Sequence, residues 1–343
     1  MIGSAKPPAA TVAAPDQAEL RKMSAGQRRV PAALPAGAVN RPVDSGPLRV
    51  SDPARVGGYR LVARLGAGGM ADVFYSVAPT GRQVAIKVFR ATGGGAAACH
   101  REYQLARAVG ADCTAPALGY GTSWAVSYLV TAYLPGYRCG ATLTGRPRAA
   151  QWLWRFGAAL GGVLTALHAR GVVHCDVKPS NLLVRGADVR VIDFGISRYV
   201  HEPSWDDQTV QCSPGWAAPE QLRAGAPTPA VDVFAWGCVL AYLASGTHPF
   251  ASRADQEWYE RVQSAEPDLL GLPPVLGEVV RWSLARDPRD RPSAAELAVI
   301  CQARHGERRQ VTAGSTEATS MARRASELGR HSARPYHLPG RVR

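Results

Sequence analysis

Lysine is almost absent. Of the 40 basic residues only Lys6, Lys22, Lys87 and Lys178 are lysines; the other 36 are arginines. A composition this biased replaces lysine wherever any cation serves. A lysine that survives marks a place where a compact ammonium is needed and a planar guanidinium fails. Only Lys87 and Lys178 fall inside the region with sustained hydrophobic patterning. Metal-spaced cysteine pairs are missing too. The seven cysteines, at 99, 113, 139, 175, 212, 238 and 301, are odd in number and none belongs to a C-x-x-C pair. That argues against a disulfide framework or a zinc site and for a reducing, cytoplasmic setting. Long apolar runs are also lacking. Residues 113–137 are broken by Pro116, Gly119, Gly121 and Pro135, and residues 233–252 end in Ser245-Gly246-Thr247-His248-Pro249. Neither gives the roughly 20 apolar residues of a membrane span. The first 15 residues hold no apolar stretch of the signal-peptide kind.

The formal net charge of +13 is unevenly spread. Residues 1–55 carry eight basic and four acidic residues, and residues 304–343 carry nine and three, which leaves only +3 for residues 56–303. A folded module that reads nucleic acid presents a basic face. Here the excess lies in the ends, so no specific nucleic-acid partner is expected. Residues 1–55 hold eight prolines and no periodicity, and residues 304–343 are rich in Arg, Ser and Thr. Both read as disordered basic tails around one folded unit over residues 56–303.

Within that unit the pattern changes once. Residues 59–64, 73–77 and 84–89 alternate and are separated by Gly66, Gly68 and Gly69 and by Pro79-Thr80-Gly81, which predicts a strand meander. A helix is expected over about 96–109, then strands near 117–121 and 125–133. Beyond Gly136, Trp152, Phe156, Leu160, Val163 and Leu167 fall at spacings of 4, 4, 3 and 4, an amphipathic helix. Short strands follow near 172–174, 182–184 and 189–192. An irregular segment runs from Gly195 to about Pro219. Helices are expected over 231–244 (apolar all round, hence buried), 256–264, 274–284 and 293–303. The fold class is therefore α+β: a small β-rich lobe over about 59–133 and a larger helical one over about 137–303.

Four groups carry chemistry. Leu65-Gly66-Ala67-Gly68-Gly69 joins two strands, and such a glycine turn lets backbone N–H groups approach a phosphate. A dinucleotide fold would put a helix after it; here a strand follows. Lys87 sits among Ala85, Ile86, Val88 and Phe89, where a buried ammonium needs an anion, and Glu102 on the next helix is the candidate. In His174-Cys175-Asp176-Val177-Lys178-Pro179-Ser180-Asn181, an Asp and an Asn five apart share one centre, with Lys178 between them to neutralise phosphate. Asp193, in Ile192-Asp193-Phe194-Gly195, is a second hard oxygen ligand suited to Mg²⁺.

Together these match the protein-kinase signature set that serves as a general template for phosphoryl transfer. With Ala218-Pro219-Glu220, Asp232, Trp236-Gly237, His248-Pro249-Phe250 and Asp290-Arg291-Pro292, all in kinase order, the chain resembles the bacterial eukaryotic-like (Hanks-type) serine/threonine protein kinases from about Tyr59 to Ala303. The resemblance implies a bilobal fold and transfer from ATP with Mg²⁺ to Ser/Thr of protein substrates, autophosphorylation included. It implies that Leu65, Gly66 and Gly68 cover the nucleotide and that Lys87, paired with Glu102, holds its phosphates. Val73, Ala85 and Leu183 would enclose adenine, with Thr131 behind it. Asp176 would be the catalytic base, braced by Ser213, while Lys178 steadies the transferred group and Asn181 and Asp193 hold the metal. Glu220, Arg291 and Asp232 would be structural.

Three positions depart from the family. Cys175 replaces the usual Arg that meets a phosphorylated activation loop, which predicts activity without phosphate on Ser204 or Thr209. Ala71 replaces the third loop glycine. Ala106 replaces a larger residue and leaves the register of the helix bearing Glu102 open. Two rivals remain. A small-molecule kinase of the antibiotic-phosphotransferase type shares the loop Asp and Asn but not Asp193-Phe194-Gly195 or Ala218-Pro219-Glu220. A silent scaffold normally lacks one of Lys87, Asp176, Asn181 or Asp193, and all are present.

Overall fold

Alternation builds the first lobe. In Gln83–Phe89, Val84, Ile86 and Val88 are buried on one face, so Ala85 and Lys87 share the other. The computed structural model describes residues 41–306 except 43, 79, 91–94, 124–125, 144–146, 201, 203–211, 214, 224 and 252–254. Strands β1 (Arg55–Val56), β2 (Tyr59–Ala67), β3 (Ala71–Val77), β4 (Gln83–Phe89), β5 (Ala117–Ser123) and β6 (Val126–Ala132) form a six-stranded antiparallel sheet in the order β1-β2-β3-β4-β6-β5. The central position of β4 sets Lys87 opposite Val73 on β3 and Leu129 on β6. Helix α1 (Gly95–Val109) covers the sheet and buries Glu102, Leu105, Ala106 and Val109.

The second lobe is helical: α2 (Ala150–Ala169), α3 (Pro219–Leu222), α4 (Pro229–Ser245), α5 (Asp255–Ser264), α6 (Pro274–Ser283) and α7 (Ala294–Gly306). Every residue of α4 from Val231 to Ala241 is buried, as a run that is apolar but for Asp232 predicts. Two glycines on α2 allow the close packing. A Cβ on Gly157 would lie 3.1 Å from Leu240 on α4 and from Cys301 on α7, and one on Gly161 would lie 3.0 Å from the Ala298 backbone. Between the lobes, β7 (Arg138–Cys139), β9 (Leu182–Arg185) and β10 (Asp188–Val191) form a sheet in the order β10-β9-β7, and β8 (Val172–Val173) pairs with β11 (Arg198–Tyr199).

Several expectations need correction. The proposed disordered tail of residues 1–55 is too long. Residues 44–56 pack along β2 through a Gly46–Arg64 backbone pair, and Leu48 joins the apolar cluster of Val56, Leu61 and Phe74. Residues 1–40 and 307–343 lie outside the described residues, and so do Ser204 and Thr209. The segment taken as irregular from Gly195 carries β11, and the last helix reaches Gly306. Among the described residues no helix is long and apolar enough to cross a membrane.

Glu220 and Arg291 form a buried ion pair. Arg291 Nη1 donates to Glu220 Oε1 at 2.6 Å and Nη2 to Oε2 at 2.9 Å, while Nε and both Nη atoms also donate to the carbonyls of Ala285, Ala230 and Arg286. Glu220→Gln removes the charge and turns one acceptor into a donor. Charge-assisted hydrogen bonds of this kind contribute about 1.5–3 kcal/mol. The variant is expected to lose about that much, read as a lower midpoint in chemical denaturation.

Candidate active site

One cavity of about 1070 Å³ opens between the lobes. Every site residue singled out in the sequence lines it, contributed by β2, β3, β4, β6, β9, helix α1 and the loops around Asp176, Asp193 and Ser213. At its inner end Lys87 Nζ donates to Glu102 Oε1 and Oε2 at 2.8 and 2.7 Å and to Asp193 Oδ1 at 2.6 Å. The open question about helix register is thereby answered: Ala106 is buried, and its small side chain does not displace Glu102 from Lys87. Two carboxylates thus share one ammonium. Burial works against the Lys87 charge, but Glu102 and Asp193 outweigh it and hold its pKa above the usual lysine value. Burial also opposes charge on Asp193, yet Lys87 keeps that carboxyl below its usual range. Burial wins at Glu102, where the nearby Asp193 charge adds to it and Lys87 opposes it; the pKa rises to about 7.

The loop after β8 carries the second group. Asp176 Oδ2 accepts from Lys178 Nζ and from Asn181 Nδ2, each at 2.8 Å. Lys178 Nζ also donates to Ser213 Oγ in a short contact. Asp176 Oδ1 is buried and has no hydrogen-bond partner among the described residues. A buried acceptor left open demands a reason, and this one lies on the cavity wall. Both hydrogen bonds of the Asn181 side chain are donated by Nδ2, the second to the Asp176 carbonyl at 2.9 Å. Its Oδ1 takes part in neither of these bonds.

The loop holds an uncommon shape, with Cys175 at φ 64° and Asp193 at φ 69°. Left-handed backbone costs a non-glycine residue free energy and persists only when the surroundings impose it. Asp232, fully buried on α4, imposes it at Cys175. Its carboxylate accepts the His174 and Cys175 amides at 2.8 Å each and lies 2.9 Å from His168 Nε2. Sequence reasoning named Asp232 as an anchor but missed three supports. His174 Nε2 lies 3.1 Å from the Ile192 carbonyl, Ser197 Oγ donates to the His174 carbonyl, and Gln221 Nε2 donates to the Cys175 carbonyl. Nothing local marks Ser197 or Gln221. His174 stood within the quoted loop and was given no role.

Thr131 on β6 stands opposite Ala85 on β4, and Leu183 on β9 opposite Cys139 on β7. With Val73 they line the cavity. At the glycine turn, Gly68 N–H bonds the Ala71 carbonyl at 2.9 Å. A Cβ on Gly66 or Gly69 would meet nothing within 4 Å. The turn therefore needs no glycine there for its own packing. Outside the cavity, Arg101 on α1, beside Glu102, donates to both oxygens of Glu202 at 2.8 and 2.7 Å. Arg198 Nε lies 2.9 Å from the same carboxylate. Cys175 contributes no cation there; burial pushes its thiol pKa well up.

The comparisons with known proteins agree with this geometry. The profile of the protein kinase domain matches residues 59–300. The probable serine/threonine-protein kinase PkwA of Thermomonospora curvata is 37% identical over 263 residues, covering 73% of this chain and 35% of its own length. The serine/threonine-protein kinase AfsK of Streptomyces coelicolor is 34% identical over 259 residues, 72% of this chain and 32% of its own length. The serine/threonine-protein kinase pkn2 of Myxococcus xanthus is 30% identical over 271 residues, 73% of this chain and 32% of its own length. The chain spans about one third of the length of these relatives. By the extent of that match, the chain belongs to the protein kinase family.

Proposed function

We propose that the chain transfers the γ-phosphoryl group of ATP, with Mg²⁺, to serine and threonine hydroxyls of proteins, itself included, as a cytoplasmic signalling kinase. Residues 56–303 form the catalytic domain in this reading. The observation that carries it is the open Oδ1 of Asp176, on a carboxylate whose other oxygen is fixed by Lys178 and Asn181. A substrate hydroxyl donates to that atom, and Asp176 takes its proton as the hydroxyl oxygen bonds the γ-phosphorus and the bond from that phosphorus to the bridging oxygen breaks, releasing ADP. Lys178, tied to Ser213, faces the transferred group, and Lys87 holds the inner phosphates. The glycine turn with Leu65, Gly66 and Gly68 covers the nucleotide, and Val73, Ala85, Thr131 and Leu183 enclose its base.

The donor set suits Mg²⁺. Asn181 Oδ1 and the Asp193 carboxylate are hard oxygen donors, and two protein ligands completed by phosphate oxygens and water are the usual Mg²⁺ arrangement. Among the described residues no cluster of three or more His, Cys, Asp or Glu offers a rival metal site. When bound, the metal neutralises charge on the triphosphate. All seven cysteines are free thiols. No specific nucleic-acid partner is assigned.

The test is incubation of the full chain with labelled ATP, with and without Mg²⁺, followed by phosphoamino-acid analysis of the chain and of a generic basic protein. Label on serine or threonine that requires Mg²⁺ supports the reading. Label only on an aminoglycoside acceptor, or none at all, overturns it.

Glu202 bears on regulation. It gives Arg101 and Arg198 an anion built into the chain, in place of a phosphate. Protein treated with phosphatase is therefore expected to keep activity within a few-fold of untreated protein. Glu202→Ala is expected to lower it about tenfold by freeing helix α1 beside Glu102, since charge-assisted hydrogen bonds contribute about 1.5–3 kcal/mol. The check is initial rates on both dephosphorylated proteins.

A further inference from the structure

The segment before β1 does more than cap the sheet. Its inner part is firmly held. Asp52 accepts from Arg64 Nε at 2.7 Å and from Nη2 at 2.8 Å, and the Gly46 and Arg64 backbones exchange two hydrogen bonds of 2.9 Å. Arg64 immediately precedes Leu65 and the glycine turn, so the segment is fixed to the strand that leads into that turn. Its outer part crosses to the opposite side of the cleft. Arg138 on β7, in the sheet between the lobes, donates to Asp44 through Nε at 2.8 Å and Nη2 at 2.9 Å. Pro42 and Asp44 line the same cavity as Lys87 and Asp176. The segment lies outside the residues that match the family profile, which begin at 59.

We propose that this segment is a strap belonging to the nucleotide site, and that Asp44, clamped by Arg138, is a positioning residue that holds one cavity wall closed around bound ATP. A connection fixed at Arg64 on one lobe and at Arg138 on β7, in the sheet between the lobes, restrains the cleft from opening on the side where they meet. Breaking it widens the excursions of the wall and speeds nucleotide loss. The groups that perform transfer make no hydrogen bond to the strap and stay as they are. The proposal thus predicts an effect on nucleotide affinity with little effect on the rate per bound ATP. It rests on the reading of this cavity as an ATP site.

The pair is partly exposed, with Asp44 side-chain exposure of 24% and Arg138 of 56%. Its contribution is therefore modest and sensitive to salt. The experiment uses full-length Asp44→Arg, Arg138→Asp and the double exchange, with labelled ATP in equilibrium dialysis and steady-state kinetics alongside. Each single reversal is expected to raise the Kd and KM for ATP about three- to tenfold at low ionic strength, with kcat within twofold. The double exchange is expected to restore most of the affinity, and the defect of the singles is expected to shrink in high salt. Single reversals that bind ATP as the parent does overturn the proposal. So does a double exchange no better than the singles, or a loss confined to kcat. If the parent itself does not bind ATP, the ATP reading of the cavity falls and the strap's role falls with it; a parent that binds ATP with indifferent variants removes the strap alone.

Discussion

Lys87→Arg is expected to abolish phosphoryl transfer, by at least two orders of magnitude, although the charge is kept. The reason is geometric. Nζ sits within 2.6–2.8 Å of three carboxylate oxygens from Glu102 and Asp193. The pocket around it is narrow: a Cβ on Gly195 would already lie 3.6 Å from Nζ and from Glu102 Oε2. An ammonium satisfies partners arranged around one point, whereas a guanidinium is planar, wider and donates in a fixed fork. To fit, Arg must push Glu102 and the helix bearing it away, or displace Asp193 from where the metal is needed. Either change misplaces the phosphates, and misplacement by about 1 Å can cost on the order of 10²-fold. The measurement is labelled-phosphate incorporation into a generic basic protein, with circular dichroism to show that the variant folds. Turnover like the parent's would sink the assignment of Lys87. The composition points the same way, since only two lysines survive in the described residues and both line this cavity.

Asp176→Asn is expected to leave ATP affinity within a few-fold of the parent and to slow transfer by ~10²–10⁴-fold, the usual worth of general-base catalysis. The substitution is close to isosteric, so Lys178 and Asn181 can still meet an oxygen at the position of Oδ2. What is lost is the capacity of the group at Oδ1 to take a proton. The proposed nucleotide contacts lie elsewhere, on β2, β3, β4, β6 and β9. The predicted signature is therefore a large fall in kcat with a nearly unchanged KM for ATP. Titration with labelled ATP and single-turnover rates separate the two. Collapse of nucleotide affinity with an intact rate per bound ATP would show that Asp176 serves binding instead.

Much of this was legible from local pattern. Alternation in residues 84–88 is a property of one strand. It put Ala85 and Lys87 on one face before any partner was known. The spacing within the loop from His174 to Asn181 is equally local: Asp176 and Asn181 are five residues apart and meet through Nδ2 and Oδ2, although the loop's shape is held from outside by Asp232. The apolar run of α4 announced its own burial, because such a helix has no face to give to water. Fold class, lobe order and the chemical inventory all follow from signals of this range.

What the chain order could not decide is which distant groups meet. Lys87 joins Asp193 across 106 positions, Arg138 joins Asp44 across 94, and Arg101 joins Glu202 across 101. A single acidic residue leaves no periodic trace, so Asp44 and Glu202 looked like any solvated charge. Asp52 did as well until Arg64 came within 2.7 Å. The boundary of the tail was misjudged for the same reason: residues 44–56 have too few apolar side chains to signal order, and they are held by backbone pairing and ion pairs to β2 and β7. Sequence by itself therefore determined the elements and the reactive groups, since strand and helix periodicity and short-loop chemistry are local. Only the tertiary structure decided the strap, the Glu202 clamp and the orphan oxygen of Asp176, because each is a matter of charges brought together by folding.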